Sequence, residues 1–210
     1  MTTIQADRHA KLTEQFRNGI RHVKDMGNLL NEAITRSTLI EPALETLGYP
    51  PIYRIPEYHE QGNAPDETCF LRQVNAKPGE AAIILEAKQY GTPFDAAPSG
   101  ARADSPDRQI RRYLQQHTAS GPNTIGVLTD GVRWRIYRRT GDANSNDIEF
   151  LDEYDFQPLD SARQPTLTEF ESAVENRLTN LVELLARDQI EYRTVRRRPP
   201  PPRATCGHPF

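Results

Sequence analysis

The chain is poor in cysteine, methionine and tryptophan, and it has no long apolar run. Its two cysteines, Cys69 and Cys206, cannot build a disulfide framework across 210 residues. Neither they nor the five histidines stand at zinc-ligand spacing, and Cys206-Gly207-His208 has no partner ligands near it. The absence of any stretch of 18 or more apolar residues excludes a membrane-spanning helix. Residues 1–9 are polar where a secretory signal needs an apolar core, so the expectation is a protein of the reducing cytoplasm. No Gly-x-x-x-x-Gly-Lys-Ser/Thr loop and no Gly-x-Ser-x-Gly elbow occurs, so the sequence offers neither a nucleotide-driven motor nor a serine acyl-transfer site. A broad basic face is missing too. The net charge is −3, and residues 189–210 hold five arginines against one glutamate, which leaves the rest near −7. Such a body suits clustered carboxylates better than extended contact with a polyanion.

What is present reads as one α/β domain, since 210 residues suffice for a single well-buried core. Leu12, Phe16, Ile20 and Val23 recur at helical spacing within 6–24, and Gly27-Asn28 breaks the run. A second helical stretch carries Leu29, Leu30, Ala33, Ile34, Leu39, Ile40, Ala43, Leu44 and Leu47 up to Gly48, a suitable C′ residue. Pro42 inside it predicts a kink or a fresh start. Strands are expected over 52–58 at a sheet edge, over 68–74, and over 82–85, whose continuous apolar run marks a strand covered on both faces. Ala76-Lys77-Pro78-Gly79 reads as a turn, and 91–104 as a loop. Ser105-Pro106 opens a helix with Ile110, Tyr113 and Leu114 on its apolar side. Asp130-Gly131 joins strands 125–129 and 132–138 in a hairpin. There Val132, Trp134 and Ile136 form a buried face, while Arg133, Arg135 and Tyr137 form a basic one. A further strand is expected over 148–156. A capping box from Thr166 to Glu169 then starts an amphipathic helix with Leu167, Phe170, Val174, Leu178, Leu181 and Leu185. The division that follows is an N-terminal helix (1–27), a main domain (28–190) and a disordered, basic, proline-rich tail (191–210).

The chemistry concentrates in Ile83-Ile84-Leu85-Glu86-Ala87-Lys88. Strand period two sends Glu86 and Lys88 to one face and Ala87 to the other. Alone, that is equally a strand leaving the core with a modest ion pair. Asp66 opens the preceding strand, and the turn at 76–79 folds that strand back so that Asp66 approaches Glu86. Two carboxylates a few ångströms apart repel unless a divalent cation lies between them. Oxygen donors with open water positions suit Mg²⁺ or Mn²⁺ and not Zn²⁺. Lys88 beside such an ion can hold an attacking water and stabilise charge on a phosphorane. Gln109 and Tyr113 share a helical face, as do Glu32 and Arg36. The latter pair reads either as a surface ion pair or as part of the site.

In order along the chain, four features resemble the PD-(D/E)XK nuclease superfamily. They are Glu32 in Asn31-Glu32-Ala33-Ile34-Thr35-Arg36, then Pro65-Asp66, then Glu86 and Lys88 in the Ile84–Lys88 run, then Gln109-x-x-x-Tyr113. Within that superfamily the pattern is most similar to the N-terminal nuclease domain of type I restriction-enzyme R subunits. The strand pair around Thr129-Asp130-Gly131, with Trp134, is similar too, and the resemblance covers about residues 28–140. It implies a restriction-endonuclease-like core, a central mixed sheet flanked by helices, and Mg²⁺-dependent cleavage of DNA in prokaryotic restriction or defence. Asp66 and Glu86 are then metal ligands with the Ala87 carbonyl as a third, and Lys88 is catalytic. Gln109 and Tyr113 position DNA or water, and Glu32 is an additional acid. Arg112, Arg133 and Arg135 are the candidate DNA contacts, with a solvated sheet face as the alternative for the last two. Partners implied are DNA and motor, modification or specificity subunits. The chain departs from the pattern in placing Glu67 directly after Asp66, which leaves open which of them faces the metal. The missing motor keeps a second reading in view, a non-cleaving DNA-binding or complex-forming module on the same fold.

Overall fold

The computed structural model describes residues 3–58, 64–71, 81–96, 104–116, 121, 123–140, 147–156 and 167–196. The first helix, α1 (Thr3–Met26), buries Leu12, Phe16, Ile20 and Val23 and stops where Gly27 takes a φ of +51°. A 3₁₀ turn (Gly27–Leu29) follows, so Leu29, expected on the apolar side of the second helix, is exposed and Leu30 is extended. The helical stretch itself begins later, as α2 (Glu32–Thr35), a π turn (Arg36–Ile40) and α3 (Glu41–Thr46). The π turn answers the Pro42 expectation. Glu41 N–H donates to the Arg36 carbonyl across five residues, and the chain restarts as α-helix with the proline in its first turn, where no amide donor is needed. Gly48 then ends α3 at a φ of +97°. Its N–H donates to the Glu45 carbonyl, and that of Tyr49 to the Leu44 carbonyl, a Schellman motif.

Six strands follow in chain order and pair in that same order: β1 (Arg54–Pro56), β2 (Glu67–Phe70), β3 (Ala81–Ala87), β4 (Ile125–Thr129), β5 (Arg133–Thr140) and β6 (Asp147–Asp155). Every neighbouring pair is antiparallel except β3 and β4, which are parallel. A parallel pair needs a crossover, and α4 (Pro106–Gln116) lies between those two strands in sequence. Two more helices, α5 (Leu167–Leu185) and α6 (Arg187–Arg196), close the described chain. The architecture is α/β, a mixed sheet with helices on both faces. Among the described residues no helix is long and apolar enough to cross a membrane.

The two faces have separate cores. On one, Ile83, Leu85 and Ala87 of β3 meet Leu12, Phe16 and Ile20 of α1, Leu39 and Leu44, and Leu178, Leu181 and Leu185 of α5. The N-terminal helix is thus built into the sheet's own core. On the other face Ile84 and Leu128 pack with Phe94, Tyr137 and the Ile110, Tyr113 and Leu114 side of α4. That helix sits close. A Cβ on Gly126 of β4 would fall 2.4 Å from Leu114 Cδ1, so glycine lets helix and strand approach.

Several expectations change. The edge strand expected over 52–58 shortens to β1, because Pro51–Tyr53 form a 3₁₀ turn with the proline at its start. The segment from 191 does not begin as tail. Helix α6 continues through Arg196, and Ile190 is buried in the larger core; residues 197–210 lie outside the described residues. Nor is the second face of β5 simply basic. Tyr137 is fully buried there, and its hydroxyl donates to Asp107 of α4. The turn at 76–79 and Thr166 of the capping box also fall outside the described residues, as do the side chains of Leu167, Phe170 and Val174.

Candidate active site

The site is built where β3 ends. Every residue of β3 is buried, and its last pair with β4 is Ala87 with Thr129. Lys88 N–H prolongs that ladder by donating to the Thr129 carbonyl at 2.8 Å. Glu86 shares the α4 face with Ile84 and is only 2% exposed. In the β2–β3 register Glu67 lies opposite Leu85, which places Glu67 on the other face and Asp66 beside Glu86. The Asp66 carboxylate reaches across the strand end, where its Oδ2 accepts the Ala87 N–H at 2.7 Å. So the acid at the site is Asp66 and not Glu67.

Lys88 closes the group. Its Nζ donates to Glu86 Oε1 and lies 3.8 Å from Glu32 Oε2. Glu32 is the first residue of α2, whose N-cap Asn31 accepts the Ile34 N–H through its side chain. The Thr35 hydroxyl oxygen accepts the Tyr90 N–H at 3.1 Å, fastening α2 to the chain just past Lys88. Asp130, fully buried, accepts the Gly91 N–H and fastens that same segment to the β4–β5 turn. The sequence pairing of Glu32 with Arg36 is not what forms. Glu32 turns to Lys88, and Arg36 turns to Asp66 and Glu67.

Burial, and then the neighbouring Asp66 charge, push the Glu86 carboxyl up to about 8 against the opposing pull of Lys88. Burial also raises Glu32, which Lys88 partly offsets and Asp66 reinforces. For Lys88 burial acts downward, but Glu86, Glu32 and Asp66 together outweigh it and hold the ammonium above its ordinary value. Among the described residues no group of three His, Cys, Asp or Glu side chains is arranged to hold a metal. What the strand end does bring together is two carboxylates, Asp66 and Glu86. That set is all oxygen and fits Mg²⁺ or Mn²⁺, because Mg²⁺ binds through one or two carboxylates and keeps several waters. The repulsion between a buried Glu86 and its neighbour Asp66 is the kind a divalent cation relieves.

Gln109 Nε2 donates to Tyr113 Oη at 3.0 Å on α4. Leu114 lies over Gly126, the register partner of Ile84, and the Asp107 N–H donates to the Phe94 carbonyl beyond the end of β3. The helix therefore runs back against the strand. Five helical residues rise about 7.5 Å and two strand residues about 6.6 Å, which sets Gln109 at about the level of Glu86. Among the described residues, however, no hydrogen bond or ion pair joins Gln109 or Tyr113 to Asp66, Glu86 or Lys88.

The three arginines expected to meet DNA all have acidic partners. Arg112 bonds Asp104 at 2.6 Å. Arg133 bonds Asp130 at 2.7 Å, donates to the Thr92 carbonyl and lies 4.4 Å from the Phe94 ring centroid. Arg135 bonds Asp95 and Glu153 and lies 5.3 Å from the same ring centroid. The face read as basic is covered by Phe94 and neutralised by acids. Sequence reasoning missed this because Phe94 and Asp95 sat in a segment without periodicity. It missed Asp130 as a hub because Asp-Gly already accounted for a turn. Comparison of the chain with family models, with curated proteins and with solved structures returns no match.

Proposed function

We propose that this chain is a Mg²⁺- or Mn²⁺-dependent DNA endonuclease with a restriction-endonuclease-like core, of the kind found at the N-terminus of type I restriction R subunits and serving restriction or defence. The observation that carries the reading is the meeting of Asp66, Glu86 and Lys88 at the end of one buried strand. Asp66, Glu86 and the Ala87 carbonyl would hold the ion, which when bound supplies Lewis acidity to a phosphate and acidity to a water. Lys88 orients the attacking water and stabilises negative charge growing on the phosphate oxygens. Glu32 restrains the Lys88 ammonium from the side of α2, and Gln109 with Tyr113 positions water or the DNA strand. DNA and the motor, modification or specificity subunits of such systems are the partners this reading calls for.

The test is cleavage of DNA with Mg²⁺ or Mn²⁺, abolished by chelator, together with calorimetric Mn²⁺ titration. Glu86→Ala and Lys88→Ala should each lower the rate by orders of magnitude, Gln109→Ala by less. Equal Mn²⁺ affinity in wild type and in the Asp66→Ala, Glu86→Ala double variant would overturn the proposal. The engagement of Arg112, Arg133 and Arg135 by acids favours one rival, a complex-forming module that does not cut. Metal binding lost in the double variant, with no cleavage by wild type even with partner subunits supplied, would select that rival.

A further inference from the structure

Arg36 is the first residue of the π turn and points its guanidinium at the start of β2. Three acceptors meet it there. Nη1 donates to Asp66 Oδ1 at 3.5 Å, and Nη2 donates to the Asp66 carbonyl at 3.4 Å and to Glu67 Oε1 at 3.3 Å. The other oxygen of the same Asp66 carboxylate accepts the Ala87 N–H. One carboxylate is thus gripped on one oxygen by a helix side chain and on the other by the backbone of the central strand. Behind the grip stands Glu67, buried on the opposite face, which gives the guanidinium a second anionic anchor. The same helical face carries Glu32 to Lys88. Residues four apart therefore serve two different site residues, with the signs of charge reversed. An extra residue per turn at the π turn is a common device for re-aiming a side chain at a functional site.

We infer that Arg36 is a positioning residue, which with Glu67 as its anchor holds the Asp66 carboxylate in the orientation from which it binds a divalent cation. The metal half of this statement rests on the nuclease reading; the orientation half does not. The planar fork is what suits Arg36 to the task, since a lysine ammonium is a point charge and cannot span a carboxylate, a carbonyl and a second carboxylate. A purely electrostatic view makes the opposite prediction. An arginine beside a cation site repels the cation, so deleting it should tighten binding.

The experiment uses the full chain in chelator, with amide hydrogen exchange read residue by residue in wild type, Arg36→Ala and Arg36→Lys. Arg36→Ala should speed exchange at Ala87 by about tenfold or more, because its acceptor becomes free to turn away. Ile83, Ile84 and Leu85 should keep their protection, which a general loosening of the fold would not allow. Arg36→Lys should restore little. Mn²⁺ affinity of Arg36→Ala should then fall by about tenfold or more, as for other groups that orient a metal ligand. Unchanged exchange at Ala87, equal loss of protection along all of β3, full rescue by lysine, or tighter Mn²⁺ binding would each overturn the inference. Wild type that binds no Mn²⁺ would instead overturn the nuclease reading and with it the metal half, while the Ala87 exchange still decides whether Arg36 orients Asp66.

Discussion

Glu86 shows how much one side chain can be asked to bear. It is an acid in a buried strand, beside another acid, with one ammonium in compensation. The folded protein binds the Glu86 proton more tightly than the unfolded chain does, since the group moves from its ordinary 4.5 up to about 8. Between those values the folded state holds more protons, so stability falls as pH rises through the window. Glutamine has no such titration. In chelator, the melting temperature of Glu86→Gln relative to wild type should therefore climb from pH 5 to pH 8. A gain of about 2–4 °C corresponds to each kcal/mol in a chain of this size. Lys88 stays charged throughout and adds only a constant offset. Thermal melts of the two proteins that run parallel across this range would show that Glu86 is not buried as an acid.

At the scale of elements, the crossover helix α4 decides where Gln109 and Tyr113 sit, and Gly126 decides how close that helix lies. Leu114 leaves no room for a methyl group on Gly126, with Cγ at 2.9 Å and Cδ1 at 2.4 Å from the added carbon. Gly126→Ala must displace the helix or force Leu114 off its rotamer, at a cost of about 1–3 kcal/mol. Because α4 carries Gln109 at the level of Glu86, the same change should weaken any cleavage beyond its effect on stability. Chemical denaturation checks the first effect, and cleavage rates well below the melting point check the second. An alanine variant as stable as wild type would mean that α4 does not pack on Gly126 this closely. The strand pair β4–β5 works differently. It places Asp130, whose carboxylate accepts the Val132 and Arg133 N–H groups and that of Gly91. A turn thereby becomes the clamp on the segment leaving Lys88.

For the whole molecule, the site is a place where local charges have been brought together at a cost that a ligand can offset. A ligand that binds only the folded state stabilises it by about 2.7 kcal/mol at one hundred times its dissociation constant. Saturating Mn²⁺ should therefore raise the melting temperature of wild type and leave that of the Asp66→Ala, Glu86→Ala double variant unmoved. Equal shifts in both would place any bound Mn²⁺ elsewhere. With a net charge of −3 and its described arginines largely engaged by acids, the molecule has little general attraction for a polyanion. Under the proposed function, DNA would therefore have to be delivered by a partner.

Local pattern was enough to read most of the long elements, though not the 3₁₀ turns at Gly27–Leu29 and Pro51–Tyr53. Helical spacing gave α1 and the apolar side of α4, the unbroken run before Glu86 gave the buried central strand, and Gly48, Ser105-Pro106 and Asp130-Gly131 marked ends and turns, because caps and turns depend on backbone geometry within a few residues. Strand period two was likewise enough to put Glu86 and Lys88 on one face. It could not choose between Asp66 and Glu67. That choice rests on the β2–β3 register, and a shift of one residue would have exchanged their faces. Nor could it tell that Glu32 and Arg36 would reach away from each other, that Phe94 and its acidic neighbour would cover Arg133 and Arg135, or that α6 would continue to Arg196. Those outcomes depend on which charges and rings arrive from distant parts of the chain, and only the packed structure brings them within range.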